Sequence, residues 1–134
     1  MEKIPSAITP PHPTNLPIIT HLIATYKLWH EFLPHIPKDS RYTLGAKVDR
    51  SLANAAELLF IASYLERDRK APYLQKANAD LDLAKFFLQI LWEVNALDNK
   101  KYVILSEKFA EVGRMLGGWI KGLEHKPPAH QREV

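Results

Sequence analysis

The residues able to do chemistry are few in this chain, and their spacing argues against most of it. There is no cysteine, so thiolate zinc sites, iron–sulfur ligation, disulfide frameworks and cysteine nucleophiles are excluded together. His30-Glu31 starts as a His-Glu-x-x-His metalloprotease helix would, but Pro34 stands where the second histidine is needed. A di-iron bundle needs two inward Glu-x-x-His motifs, and no glutamate here has a histidine three residues on. No arginine is followed by histidine after four to six residues, the spacing of HEPN-type helical ribonucleases. Ser51, Ser63 and Ser106 have no evident base, and His21 and His30 read as core-edge or surface histidines of the first helix. The glycines follow no strand, so no P-loop or Rossmann turn is formed. The expectation is a protein with no metal, no cofactor and no catalytic residue.

Cations remain. Eighteen Lys and Arg against fifteen Asp and Glu give a formal charge of +3, ordinary for a soluble domain and permissive of an anionic partner. Their grouping is more informative. Arg41, Lys47 and Arg50 gather at the start of the second helix, and Arg67, Arg69, Lys70 and Lys76 at the turn into the third. Arg114 shares the outer side of the fourth helix with Lys121. Such residues contact phosphates by charge alone, with a strong salt dependence. In a monomer they form minor patches at opposite ends; in a ring each becomes a repeated band.

The elements that must position them are helical. A chain of 134 residues with 46% hydrophobic residues makes one domain with a full core. Pro5, Pro10, Pro11 and Pro13 mark residues 1–14 as an extended arm, and Pro127-Pro128 mark 124–134 as a polar tail. The chain start has no apolar h-region, and no apolar run is long enough for a bilayer, so a cytoplasmic protein with no membrane partner is expected. Between the ends lie four helices and no convincing strand.

The first helix runs from Leu16 to Leu33, capped by Thr14 or Asn15, with Ile19, Ile23, Tyr26, Trp29 or His30, and Leu33 as its stripe. The second runs from Asp39-Ser40 to Arg67 on the seam Leu44, Val48, Leu52, Ala55, Leu59 and Ala62. Arg69-Lys70-Ala71-Pro72 reads as the turn, with Pro72 opening a third helix to Leu97. Asp98-Asn99 turns and caps a fourth, from Lys100 to Gly122. Short loops make neighbours antiparallel: an all-α, up-and-down four-helix bundle over residues 15–123.

Two helices are too greasy for a lone bundle. At 100° per residue the apolar side chains from Leu83 to Leu97 fill an arc of roughly 240°, where a stripe of a little over 100° suffices. Phe60 and Ile61 lie off the seam of the second helix in the same way. Sharing these flanks between copies would hide them, so Phe60, Ile61, Phe86 and Ile90 are expected in an oligomer contact. Gly113 and Gly117 share one edge of the fourth helix. Each costs up to about 1 kcal/mol against alanine, a cost that close packing there would offset.

Arg41-Tyr42-Thr43-Leu44-Gly45, Tyr73-Leu74-Gln75-Lys76-Ala77 and Gly113-Arg114-Met115-Leu116-Gly117-Gly118-Trp119-Ile120-Lys121, in this order and spacing, resemble the Avd four-helix-bundle family. Avd is the accessory variability determinant of diversity-generating retroelements. Its superfamily includes bundle proteins encoded in intervening sequences of bacterial ribosomal RNA genes. The likeness spans Leu16 to Leu123. It implies a basic homopentameric barrel, without catalytic activity, that binds the element's reverse transcriptase and template RNA during mutagenic cDNA synthesis and retrohoming. It suggests Arg41, Lys47, Arg50 and Arg114 as contacts to polymerase or nucleic acid, of which Arg41 and Arg114 lie inside the matching motifs. The ribosomal branch implies the alternative, an oligomeric bundle without a polymerase partner. A helical nuclease or small-molecule enzyme is the rival from another class.

Overall fold

A computed structural model describes residues 16–124. The proline-rich arm, the Thr14/Asn15 cap and the tail after Glu124 lie outside them. Every regular element among the described residues is helical. Helix α1 spans Leu16–Phe32 and ends in a tight 3-10 turn, Leu33–His35, at Pro34. The second helix opens with Lys38–Ser40, passes through a π turn, Arg41–Gly45, and continues as α2, Ala46–Tyr64. Helix α3 is Arg67–Glu93 and α4 is Asn99–Glu124.

One core joins all four helices. The expected α2 seam is buried from Val48 through Leu52, Ala55, Leu59 and Ala62, with Leu44 half-buried at its start. On α4, Leu105, Phe109, Val112 and Leu116 are buried, flanked by Tyr102, Trp119 and Leu123. Helix α3 contributes Leu74, Leu81, Leu88 and Leu91, with Ala77 and Ala84 letting it approach closely. Helix α3 packs against α2 and α4, and α1 packs more extensively on α4 than on α2.

The first stripe is rotated by one position from the expected Ile19, Ile23 and Tyr26, whereas Trp29 is buried as expected. Ile18, Leu22, Thr25 and Trp29 face the core, whereas Ile19 and Tyr26 sit on the flank toward α2 and Ile23 is half exposed. Helix α1 carries two adjacent apolar stripes, and packing against α4 selects the first.

The α2–α3 turn is also displaced. It consists of Leu65 and Glu66 in extended conformation, and Arg69 through Pro72 lie within α3. Pro72 is the sixth residue of the helix, so one backbone hydrogen bond is lost. The early start is stabilised by cations of the first turn. Lys70 Nζ donates to the Ala62 carbonyl at 2.6 Å, and Arg67 Nη2 to the Gly122 carbonyl at 2.8 Å. Both acceptors are carbonyls in the last turns of their helices, and that of Ala62 also accepts the Leu65 N–H at 3.2 Å.

Helix α3 stops at Glu93, short of the expected Leu97. Asn95 adopts a left-handed φ of 63°, which asparagine tolerates better than branched residues. The N–H groups of Ala96 and Leu97 then bond the Leu91 carbonyl at 2.8 and 3.1 Å. Ala96 and Leu97 therefore bury as a turn rather than as helix. At the second helix, Asp39 and Ser40 do not cap: Pro37 occupies that place without a side-chain bond.

Asp98 does cap α4, its Oδ1 accepting the Lys101 N–H at 2.8 Å while Oδ2 meets Lys101 Nζ at 2.9 Å. The Lys101 backbone N–H first, then its ammonium, holds the Asp98 carboxyl below its ordinary value. The native carboxylate thus binds its proton more weakly than the unfolded one. The cap's contribution is complete above the ordinary carboxylate range and is lost as pH falls through the native value. Asp98→Asn should remove part of the acid dependence of the thermal midpoint, measured by melts from neutral pH into acid.

Helix α1 is tied to α2 by Asp49. Its Oδ1 accepts the Tyr26 hydroxyl at 2.8 Å and the indole N–H of Trp29 at 3.1 Å. The Trp29 side chain is fully buried, so its N–H has no access to water. Asp49→Ala should cost roughly 2–4 kcal/mol in urea unfolding, and Asp49→Asn, which keeps an acceptor, distinctly less.

Candidate nucleic-acid and partner interface

The cations singled out by sequence fall into different structural settings. Arg41, at the start of the π turn, donates Nε and Nη2 to the Ile36 carbonyl at 3.1 and 3.0 Å and Nη2 to Pro34 at 3.1 Å. It clamps the α1–α2 connection, with its guanidinium carbon 5.9 Å from the Tyr42 ring centroid. Arg67 and Lys70 close the ends of α4 and α2 as described. Lys70 also lies 5.8 Å from the Trp119 ring centroid, and desolvation holds its ammonium below the ordinary lysine value. These three side chains already hold the fold together.

Lys47, Arg50, Arg69 and Arg114 are exposed on helix surfaces. Lys47 and Arg50 stand one turn apart on α2, away from its seam. Lys76 lines a cleft between α2 and α3 together with Asn54, Glu57 and Asp80, so acids dilute its charge. Asp80 Oδ2 is buried there without a hydrogen-bond partner. Arg114 lies beside Lys108, Glu107 and Glu111 on α4. Helices α2 and α4 both pack on α1 and α3 and so stand diagonally, which points Arg114 away from Lys47 and Arg50. Arg67 to Lys70 lie roughly 25 Å further along the bundle, at 1.5 Å per residue. One chain does not bring these cations together.

The residues expected between copies are divided in the same way. Phe60 is 49% exposed and Phe86 54%, each touching one ring of its own helix: Phe60 packs edge-on to Tyr64 and Phe86 lies against Phe87. Ile61 and Ile90 are half-buried. At Gly113 an added Cβ would lie 2.9 Å from Lys85 Nζ, so the close neighbour is a side chain of the same chain. Gly117 and Gly118 have nothing within 4 Å of a would-be Cβ, and α4 nevertheless runs unbroken past them to Glu124.

Sequence reasoning missed a groove between α1 and α2. Ile19, Leu22, Ile23, Tyr26, Lys27, Ala53 and Ala56 line a volume of about 470 Å³. The signals were present: a second apolar stripe on α1, and two alanines beside the α2 seam that leave the space unfilled. Trp92, expected as part of the wide apolar arc of the third helix, stacks its ring on Tyr102 at 4.8 Å across the α3–α4 turn. His21 pairs with Glu111 of α4 at 2.9 Å, and the Ser63 hydroxyl donates to its own helix at Phe60. Among the described residues no group of three or more His, Cys, Asp or Glu could hold a metal. No helix of theirs is long and apolar enough to cross a membrane.

These features define a small helical bundle with open apolar faces and dispersed cations on its surface. The bAvd-like family model matches residues 19–123, from the first turn of α1 almost to the end of α4. The chain belongs to the bAvd-like family. No match is found among curated proteins.

The open space at Gly117 gives a test of what that stretch is for. In the isolated chain Gly117→Ala should stabilise α4 by up to about 1 kcal/mol. If a partner's backbone packs there, the same substitution should raise the thermal midpoint yet weaken assembly, read by melting and light scattering together.

Proposed function

We propose that this chain is a non-enzymatic accessory protein of a diversity-generating retroelement. It acts in the cytoplasm as a homo-oligomeric ring, a pentamer, that binds the element's reverse transcriptase together with template RNA and cDNA in mutagenic retrohoming. Membership of the bAvd-like family supports the reading. The observation that carries it is the pairing of exposed aromatics with exposed, dispersed cations on one small bundle. Large apolar side chains at Phe60, Tyr64, Leu83 and Phe86 are a liability in a monomer and an asset between copies. Closing a ring would repeat Lys47, Arg50 and Arg114 around an axis, turning weak single charges into an additive anionic dock.

The test combines mass with salt. Light scattering should report a particle several times the mass of one chain, and a monomer at all concentrations would overturn the reading. Affinity for structured RNA should fall steeply as salt rises. Lys47→Glu, Arg50→Glu and Arg114→Glu together should abolish RNA binding with an unchanged circular dichroism spectrum, since none of the three supports the fold. Co-purification with a reverse transcriptase encoded beside the gene should persist for the wild type. Its absence would refute the accessory role.

A further inference from the structure

Among the open apolar surfaces of the described residues, two differ in kind. One is concave: the groove between α1 and α2, with Ile19, Ile23, Ala53 and Ala56 on its walls and Lys27 as its only charged lining residue. The other is a row of side chains along α3, with Phe86 also bordering the cleft toward α4. Leu83 and Phe86 stand 43% and 54% exposed on α3, and half-buried Ile90 continues the ridge one turn on. Asp82 and Glu93 share the solvent side of that helix with Phe86, a turn before it and two turns after.

We infer that the α3 ridge of one copy seats in the α1–α2 groove of the next. This rests on the ring proposed above and identifies the surfaces through which it closes. Three observations carry it. The groove lacks side-chain volume because Ala53 and Ala56 stand where α2 could have carried larger residues, and Phe86 has the bulk to fill it. The charges complement on balance: the groove rim brings Lys27, and the ridge is flanked by Asp82 and Glu93, with Lys85 as the one cation between them. Asp82 has only a long contact of 3.8 Å, to Lys85 of its own helix. The geometry also suits closure. Groove and ridge belong to different helices, the groove to α1 and α2 and the ridge to α3, so two different patches meet. A contact between two different patches is heterologous, and it closes into a ring where the rotation at each step divides a full turn. A self-complementary contact would stop at a dimer.

The absence of native cysteines makes the arrangement directly testable. Ile23→Cys with Phe86→Cys in one chain should form interchain disulfides under mild oxidation. The products should climb a ladder that ends at the mass of the ring. Either single variant alone should stay uncrosslinked, since groove meets ridge and neither meets itself. Charge provides a second arm. Lys27→Glu should raise the concentration for half-assembly about tenfold through like-charge repulsion, with helicity unchanged, and adding Asp82→Lys should recover most of the loss. Crosslinking by a single cysteine variant would overturn the heterologous contact. A wild-type ring whose double variant assembles but never crosslinks would overturn the choice of surfaces while leaving the ring itself intact. A wild-type chain that stays monomeric would defeat the ring reading instead.

Discussion

The carboxylate of Asp49 joins α1 to α2, and the apolar groove between the two helices runs beside that tie. Two donors meet it, one of them the indole N–H of a tryptophan with no access to water. Above that point α1 leans on α4 and faces α2 across small side chains. A bundle closed equally on all sides would have filled this space with its own leucines. Here Ala53 and Ala56 leave the space unfilled, and Tyr26, bonded to Asp49, borders it.

Basic residues divide between two tasks that composition cannot separate. Arg41, Arg67 and Lys70 spend their donors on backbone carbonyls at the turns and helix ends. They do what a C-terminal cap does, but from a neighbouring element. Their charge is thereby partly used in holding antiparallel helices in register. Lys47, Arg50 and Arg114 lie on helix barrels, where every backbone group is already paired, and so remain available to a partner. The division explains how a chain of modest net charge can keep its turns tight and still present cations.

Much of the architecture was legible because periodicity is a local property. The seam from Val48 to Ala62 and the stripe from Leu105 to Leu116 both lie buried as their spacing required, and Asp98 caps α4. The exposed Phe60 and Phe86 were foreshadowed by arcs wider than one core needs. Reading failed where two local solutions were equally good. Ile18-Leu22 and Ile19-Ile23 are both acceptable stripes. Pro72 is acceptable either as a first-turn residue or as a tolerated flaw six residues in.

Sequence by itself determined the helical class, the four segments, the core face of two of them and the surplus of apolar surface, because side chains three and four apart on a helix share a face whatever surrounds them. Tertiary structure alone decided which flank of α1 turned inward, where α3 began and stopped, and which cations were spent on carbonyls. Those outcomes depend on neighbours distant in the chain: the carbonyls of Ala62 and Gly122, the wall of α4, the carboxylate of Asp49. No local pattern encodes their proximity.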